Sequence, residues 1–406
     1  MTLTMTRTMT TNRRWSLALG ALVALVVAVV SATPAQAVPA FGRRYGVPCA
    51  TCHSAITRRN EFGDAFRKAG YRWPGLVDEQ AGTAPIEMRG ISAMRTLLPA
   101  QLPVALSTAM SAAYTDDPEV EDTVTLGRPS LNVLFGATFG EHVSIFGTWP
   151  GQGQPDELVL HFAHLGSPAL NLRVGLIEQS TTIFKSNEAL LARFITGTSS
   201  LHGHAVSRAR MGAEANGILW KRLFWAAGVV QNAGPSSPFD LYYHLSAKLG
   251  GMDFLGNEPD IDLEHPSAVQ DLSVTLAHWA YAGRVETSTG MDVSSVRRYG
   301  LDLKLTFRDA SLLAGAMLGD DRDLQTYQDD RSLTWFAEAS YPLLSWLMPS
   351  YMYQYQDAES FTKEVQRHDI GVIVLPLENL RLRAKVTLTP DDTRNEEAEF
   401  QLFMAF

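Results

Sequence analysis

The chain has 406 residues, with 34 Lys and Arg against 43 Asp and Glu, a formal net charge of −9 and only two cysteines. That acidic balance argues against a nucleic-acid partner and favours cationic ones, although solubility alone also accounts for it. Past the N-terminal region no run of about 18 apolar residues occurs, which excludes a helical membrane span and leaves a soluble periplasmic protein or an outer-membrane barrel.

Residues 1–37 carry Arg7, Arg13 and Arg14 with no acid, then an apolar run from Trp15 to Val30, then Ser31-Ala32-Thr33-Pro34-Ala35-Gln36-Ala37. A basic start, a short apolar stretch and small residues at Ala35 and Ala37 predict a cleavable secretory signal, cut after Ala37. Its loss, with its three arginines, takes the formal net charge from −9 to −12. An uncleaved anchor is the alternative, and Arg13-Arg14 also suits twin-arginine export.

Cys49-Ala50-Thr51-Cys52-His53 has the C-x-x-C-H spacing of covalent c-type haem attachment. The spacing serves the chemistry: two thiols reach the two vinyl groups on one porphyrin edge, and the adjacent imidazole turns under the ring to bind iron. An exported chain with two cysteines otherwise suggests a disulfide, here a very tight loop, or half of a zinc site. Zinc needs two further ligands, and residues 38–85 hold no other Cys or His. After the motif, Phe62, Phe66 and Ala69 fall at i, i+4 and i+7, which predicts a short helix with one apolar face, ended by Gly70. Phe41 and Tyr45 are placed to cover the other edge, or to form a small core of their own.

On these residues the segment resembles the fused monohaem cytochrome–porins of the bacterial outer membrane, a family that includes iron(II) oxidases. The matching positions are Pro39, Phe41, Arg43, Gly46, Cys49, Cys52, His53, Asn60, Phe62, Gly63, Phe66, Gly70 and Tyr71. Thr57 stands where that pattern has proline, Arg59 where it has leucine and Asp64 where it has arginine. Arg44-Tyr45 replaces the Gln-Thr of the iron-oxidising members. The resemblance implies one covalent haem c held by Cys49 and Cys52, with His53 as axial iron ligand.

From about Pro103 the pattern changes to alternation. Leu380, Leu382, Ala384, Val386 and Leu388 are apolar, while Arg381, Arg383, Lys385, Thr387 and Thr389 alternating with them are polar, a period of two over ten positions. Tyr299, Leu301, Leu303, Leu305 and Phe307 repeat it against Asp302, Lys304, Thr306 and Arg308, as do Leu170, Leu172, Val174 and Leu176 against Asn171 and Arg173. Turn signals at Gly166-Ser167-Pro168, Asp320-Asp321 and Pro390-Asp391-Asp392 separate about sixteen such segments, the even number of a bacterial outer-membrane barrel. Basic residues on the polar faces suit a wet lumen better than the dry core of a soluble sandwich. The final alternation of Ala398, Phe400, Leu402, Met404 and Phe406 fits a closing strand, and Tyr351, Tyr353, Tyr355, Trp335 and Phe336 fit interfacial girdles.

Acidic runs at Asp116-Asp117 with Glu119, Glu121 and Asp122, and at Asp320, Asp321 and Asp323, read as solvated loops with a secondary capacity for Fe²⁺. The stretch Thr181–Ser207, with His202 and His204, is long enough to fold into the lumen as a constriction. A sixth haem ligand has several candidates: Met88, the nearest in sequence, Met94, His161, His164, His202, His204, a lysine or water. Met88 serves equally as an apolar residue packed where plug meets barrel.

The expected architecture is therefore mainly β: a signal peptide at 1–37, a small α-helical monohaem cytochrome c segment at 38–85 acting as plug, and an outer-membrane barrel of about 16 strands at 86–406. The expected function is electron transfer from an extracellular donor, Fe(II) among the candidates, through the haem at the outer side to a periplasmic c-type cytochrome. No acid–base catalytic residue is expected. The alternatives are a porin-like diffusion channel whose haem segment is a plug, sensor or staple, and a soluble periplasmic electron carrier.

Overall fold

A computed structural model describes residues 40–73, 104–116, 123–139, 141–185, 188–198, 206, 209–231, 239–258, 271–286, 292–323, 327–359, 364–390 and 396–405, with the backbone of the hairpin Ile86–Arg89 and Arg95–Leu98. The proposed signal sequence lies outside them. Val38–Phe406 form one compact unit.

The wall is a closed antiparallel barrel of sixteen strand positions, running from Val104–Asp116 round to Glu396–Ala405, which pairs back onto the first strand with Leu402 opposite Met110. Closure follows from the sequence pattern, since an antiparallel sheet with no free edge pairs every backbone group. One position is broken. Thr123–Leu126 pairs with the later half of the first strand and Ser130–Phe139 with its earlier half, so the two pieces form one strand interrupted at Gly127-Arg128-Pro129. Pro129 has no N–H to offer the ladder, which suits the break.

Alternation sorts the faces as expected. Tyr299, Leu301, Leu170, Val174 and Val386 face outward and are exposed, while Asn171, Arg173, Asp302, Arg381, Arg383, Lys385 and Thr387 face inward and are buried. Two sequence expectations are corrected. Phe336 is 1 % exposed and points into the lumen, because its neighbour Trp335 points out, against Tyr353, and a strand cannot send consecutive side chains to one face. Asp320, Asp321 and Asp323 do not sit between strands but within Ala310–Asp323, where Asp320 lies opposite Arg297 and Arg331. Cross-strand cations replace the solvation a loop would give. Asp321 is buried in an ion pair with Arg298. Asp117 and the acids up to Asp122 lie outside the described residues.

The tightest connections gather at one end. Trp220–Arg222, Arg308–Asp309 and Glu378–Asn379 are tight turns at one end, the end where the first strand begins and the last one finishes. In transmembrane barrels the tight turns are periplasmic. At the opposite end the connection after Asn171–Ile177 turns into the lumen instead of leaving it. There Ile183, Phe184, Leu190, Leu191 and Phe194 pack with inward-facing Leu313, Phe336, Met348, Met352 and Ile373. The expected constriction is thus present, but as packed apolar core as much as wet channel. His202 and His204 lie outside the described residues.

Wall packing is tight enough to test. A Cβ on Gly300 would stand 1.9 Å from the ring of Trp279, which lies directly opposite and is fully buried. Gly300→Val is expected to cost about 1–3 kcal/mol by overpacking. The readout is a lower temperature for loss of the folded band in detergent electrophoresis.

Candidate functional site

The C-x-x-C-H segment is built from five short pieces. Helix α1 (Ala40–Tyr45) leads to Pro48, which precedes a 3-10 turn at Cys49–Thr51. His53–Ala55 then pairs antiparallel with Arg58–Arg59, and helix α2 (Glu61–Lys68) follows. Asn60 joins the two halves. Its side-chain oxygen accepts from Gly63 N–H at 2.9 Å, capping α2, while its Nδ2 donates to the carbonyls of Ala50 and Thr51, both at 3.0 Å. The backbone N–H of Asn60 also donates to Cys52 O at 3.0 Å. Gly63 has to be glycine, because a Cβ there would fall 2.2 Å from that same carbonyl. Helix and turn are therefore pressed together by one side chain and one missing side chain.

The apolar residues expected around the motif form a contiguous aromatic cluster. Phe66 meets Phe41 edge-on at 5.3 Å and Tyr45 at 5.7 Å, Phe62 meets Trp73 at 4.8 Å, and Tyr71 stacks on Phe41 at 5.2 Å and on Phe146 of the wall at 4.6 Å. The helix expected from Phe62, Phe66 and Ala69 is present, with Ala69 as its C-cap and Gly70 beyond it at φ +73°.

Cys49 and Cys52 are unbridged and partly buried on one turn. Burial, reinforced by Cys49, pushes the Cys52 thiol up to about 11, and burial with Glu378 raises Cys49 too. These are not the electropositive surroundings that activate thiolate redox pairs. Among the described residues no three His, Cys, Asp or Glu side chains converge on a metal-sized site, so the half-zinc reading gains no partner. Burial, and then the charge of Arg59, lowers His53 to about 4, against a hydrogen bond to the Arg58 backbone and the charge of Asp64. The ring is therefore neutral at physiological pH, the form that ligates metal. Its Nδ1 is buried with no hydrogen-bond partner. Two free thiols on one turn, a neutral, partly buried imidazole beside them and an aromatic shell fit a covalently attached haem.

The segment lies inside the barrel at the tight-turn end. Cys49 N–H donates to the Glu378 carboxylate at 2.9 Å, Arg72 to Val143 O at 2.7 Å, and Glu61 pairs with Lys248 at 3.1 Å and accepts from Met252 N–H at 2.8 Å. Pro48, Ala50 and Ser54 remain exposed there. Deeper in, Arg58 forms a buried ion pair with Glu338, and Arg381 donates to Ile56 O at 3.0 Å and to Thr57 Oγ1 at 2.9 Å. Thr57 has φ +81°, a conformation a proline cannot take, so the departure from the resembled pattern at this position has a backbone cause.

Of the sixth-ligand candidates, Met88 lies on the strand Ile86–Arg89 opposite Thr96, with no side-chain placement described, and Met94, His202 and His204 lie outside the described residues. His161 is buried with an unpartnered Nε2, and a Cβ on Gly70 would lie 3.3 Å from its Nδ1. His164 sits in a tight connection with φ +54°, its Nε2 also unpartnered. The structure brings neither ring to His53 by any described contact. Sequence reasoning missed Glu188, Lys248, Lys304, Glu338 and Glu378, the groups that anchor the segment. The one available signal was an ionisable residue at an inward position of an alternating strand, as at Glu338 or Lys304.

No protein-family model matches the sequence, and no curated protein matches it. Among solved structures the barrel is similar to an anion-selective porin from Comamonas acidovorans, at 12 % identity and a TM-score of 0.54 over 75 % of this chain and 99 % of that one. It is similar also to a loop L8 deletion mutant of OmpT, an outer membrane protein of Vibrio cholerae, at 10 % identity and a TM-score of 0.52 over 75 % and 99 % of the two chains. Salmonella typhi OmpF, solved with daunomycin, matches at 10 % identity and a TM-score of 0.52 over 75 % and 97 %. At these identities the likeness is one of fold: this chain has a porin-like barrel.

Glu338→Ala leaves the Arg58 guanidinium buried without its carboxylate, a loss of about 3–5 kcal/mol for a pair of this kind. The expected result is faster protease cleavage in residues 40–73 and a rise in single-channel conductance, with the wall's own heat resistance retained. Unchanged conductance and cleavage would mean that the ion pair does not hold the segment.

Proposed function

We propose that this chain is an outer-membrane electron-transfer barrel in which Cys49 and Cys52 hold one haem c through thioether bonds and His53 serves as axial iron ligand. The observation that carries the reading is the C-x-x-C-H turn itself, with unbridged thiols and a neutral, partly buried imidazole, locked by ion pairs into a lumen also occupied by residues 181–185 and 188–198. When bound, the haem supplies a one-electron couple. The protein's residues do the rest. Asn60 and Gly63 fix the attachment turn, the aromatic cluster keeps water from one side of it, and Glu378 orients its first residue. With tight turns on the periplasmic side, a periplasmic c-type cytochrome meets the motif at the mouth, past Pro48, Ala50 and Ser54. An extracellular donor, Fe(II) among the candidates, then reaches it through the lumen. Reversed flow uses the same path.

A second reading, a porin-type diffusion channel in which residues 40–73 are a plug, sensor or structural staple, is favoured by a different observation: the barrel's likeness is to channel proteins, one of them an anion-selective porin. The acidic composition sits less well with anion passage, while inward Arg173, Arg381 and Arg383 suit it.

The separating experiment uses the full chain, expressed with haem-attachment machinery and purified in detergent. Haem is expected to stay with the polypeptide through denaturing electrophoresis, and to be lost in Cys49→Ala/Cys52→Ala. In stopped-flow absorbance, Fe²⁺ at acidic and neutral pH is expected to raise the reduced α-band. Haem that dithionite reduces and Fe²⁺ does not would remove Fe(II) as donor. A haem-free chain with steady solute conductance would establish the channel reading instead.

A further inference from the structure

Two of the three departures from the resembled pattern face each other. Arg59 Nε donates to Asp64 Oδ1 at 2.9 Å, Asp64 Oδ2 pairs with Lys304 of the wall at 2.6 Å, and Arg59 pairs with Glu188 of the inward segment. The four side chains are between 4 % and 16 % exposed, so solvent screens them poorly. Among these four side chains two positive and two negative charges balance, and the buried Lys68 ammonium acts on Asp64 from outside the four. The group stands directly across the two-stranded ladder from the axial histidine, because His53 and Arg59 are cross-strand partners, and directly opposite residues in such a pair have Cα atoms about 5 Å apart. Burial opposes the charge on Asp64, but Lys304, Arg59 and Lys68 hold its carboxyl well below the usual range, so it remains ionised.

We infer that Arg59 and Asp64 are positioning residues that tie the haem-attachment segment to both the wall and the inward loop, and that their balanced charges set the reduction potential of the group held by His53. The inference rests on the haem reading above. Its physical basis is simple. The oxidised haem carries one more positive charge than the reduced haem, so a nearby uncompensated negative charge stabilises the oxidised form and an uncompensated positive charge the reduced one. Arg59→Leu leaves the cluster with one excess negative charge. Asp64→Asn and Glu188→Gln each leave one excess positive charge.

The test is a spectroelectrochemical titration of the full-length holoprotein in detergent for the wild type and the three single variants. Arg59→Leu is expected to shift the midpoint down, and Asp64→Asn and Glu188→Gln up, each by up to about a tenfold change in the reduced-to-oxidised ratio at fixed potential, 59 mV for one electron. Loosening the segment without a charge effect would admit water and move all three in one direction, which would overturn the inference. Unchanged midpoints would overturn it as well. If Arg59→Leu does not fold, the two carboxylate variants still decide the sign. A wild-type chain without attached haem would sink the haem reading, and this inference with it, and is told apart by the missing α-band before any titration.

Discussion

A charge turned into the lumen of a narrow barrel must find a partner, because wall and contents together keep most bulk water from it and an unpaired buried ion costs several kcal/mol. Here the wall carries such charges at Lys248, Lys304, Glu338, Arg381 and Arg383; Arg383 pairs with Glu399 and Arg381 donates to Gln401 within the wall, and all five also meet groups from outside it. Glu61, Asp64, Arg58 and the carbonyl of Ile56 answer the first four, and the carbonyls of Leu190 and Leu191 answer Arg383. Removing residues 40–73 would take away the ion-pair partners of Lys248, Lys304 and Glu338. The barrel and its contents are therefore mutually dependent in a way that the hydrogen-bond ladder of the wall does not require.

That dependence explains why the attachment turn is so closely held. Ion pairs fix helix α2 to the wall, α2 is capped by Asn60, and Asn60 grips the carbonyls of Ala50 and Thr51. The geometry of Cys49, Cys52 and His53 is thus inherited from strands hundreds of residues later in the chain. A small helical segment of about 35 residues has too little core to fix such a turn alone, since domains of this size usually need a metal, a disulfide or a partner surface. The lumen is that surface.

Much of this was legible in the sequence for one reason: period two is a local property. Leu380 to Leu388 announce their strand and both of its faces without reference to any neighbour, and the helix after Asn60 is announced by its cap and its i, i+4 phenylalanines. What was not legible is what depends on pairing across the molecule. Asp320 and Asp321 look like a turn until Arg297, Arg298 and Arg331 are placed beside them. Phe336 looks like a girdle residue until the phase of its strand is set by Glu338 and Thr334, both buried and inward. Glu188 has no local signature at all. The end of the barrel that holds the cysteines was equally hidden, because it follows from which turns are short.

The likeness to porins and the contents of the lumen bear on different questions. A wall records how a chain crosses an apolar layer, and chains at 12 % identity can share that solution while differing in what they conduct. Passage is decided by what stands in the hole. Here Phe184, Leu190, Leu191 and Phe194 pack against Phe336, Met352 and Ile373 in a buried apolar cluster from one end, and the C-x-x-C-H segment is anchored at the other. Water-filled pores keep their inward faces polar along their length. A lumen that buries apolar side chains where the connection after Asn171–Ile177 folds in, and ion pairs where residues 40–73 sit, departs from that pattern and narrows the open path that solute flow needs.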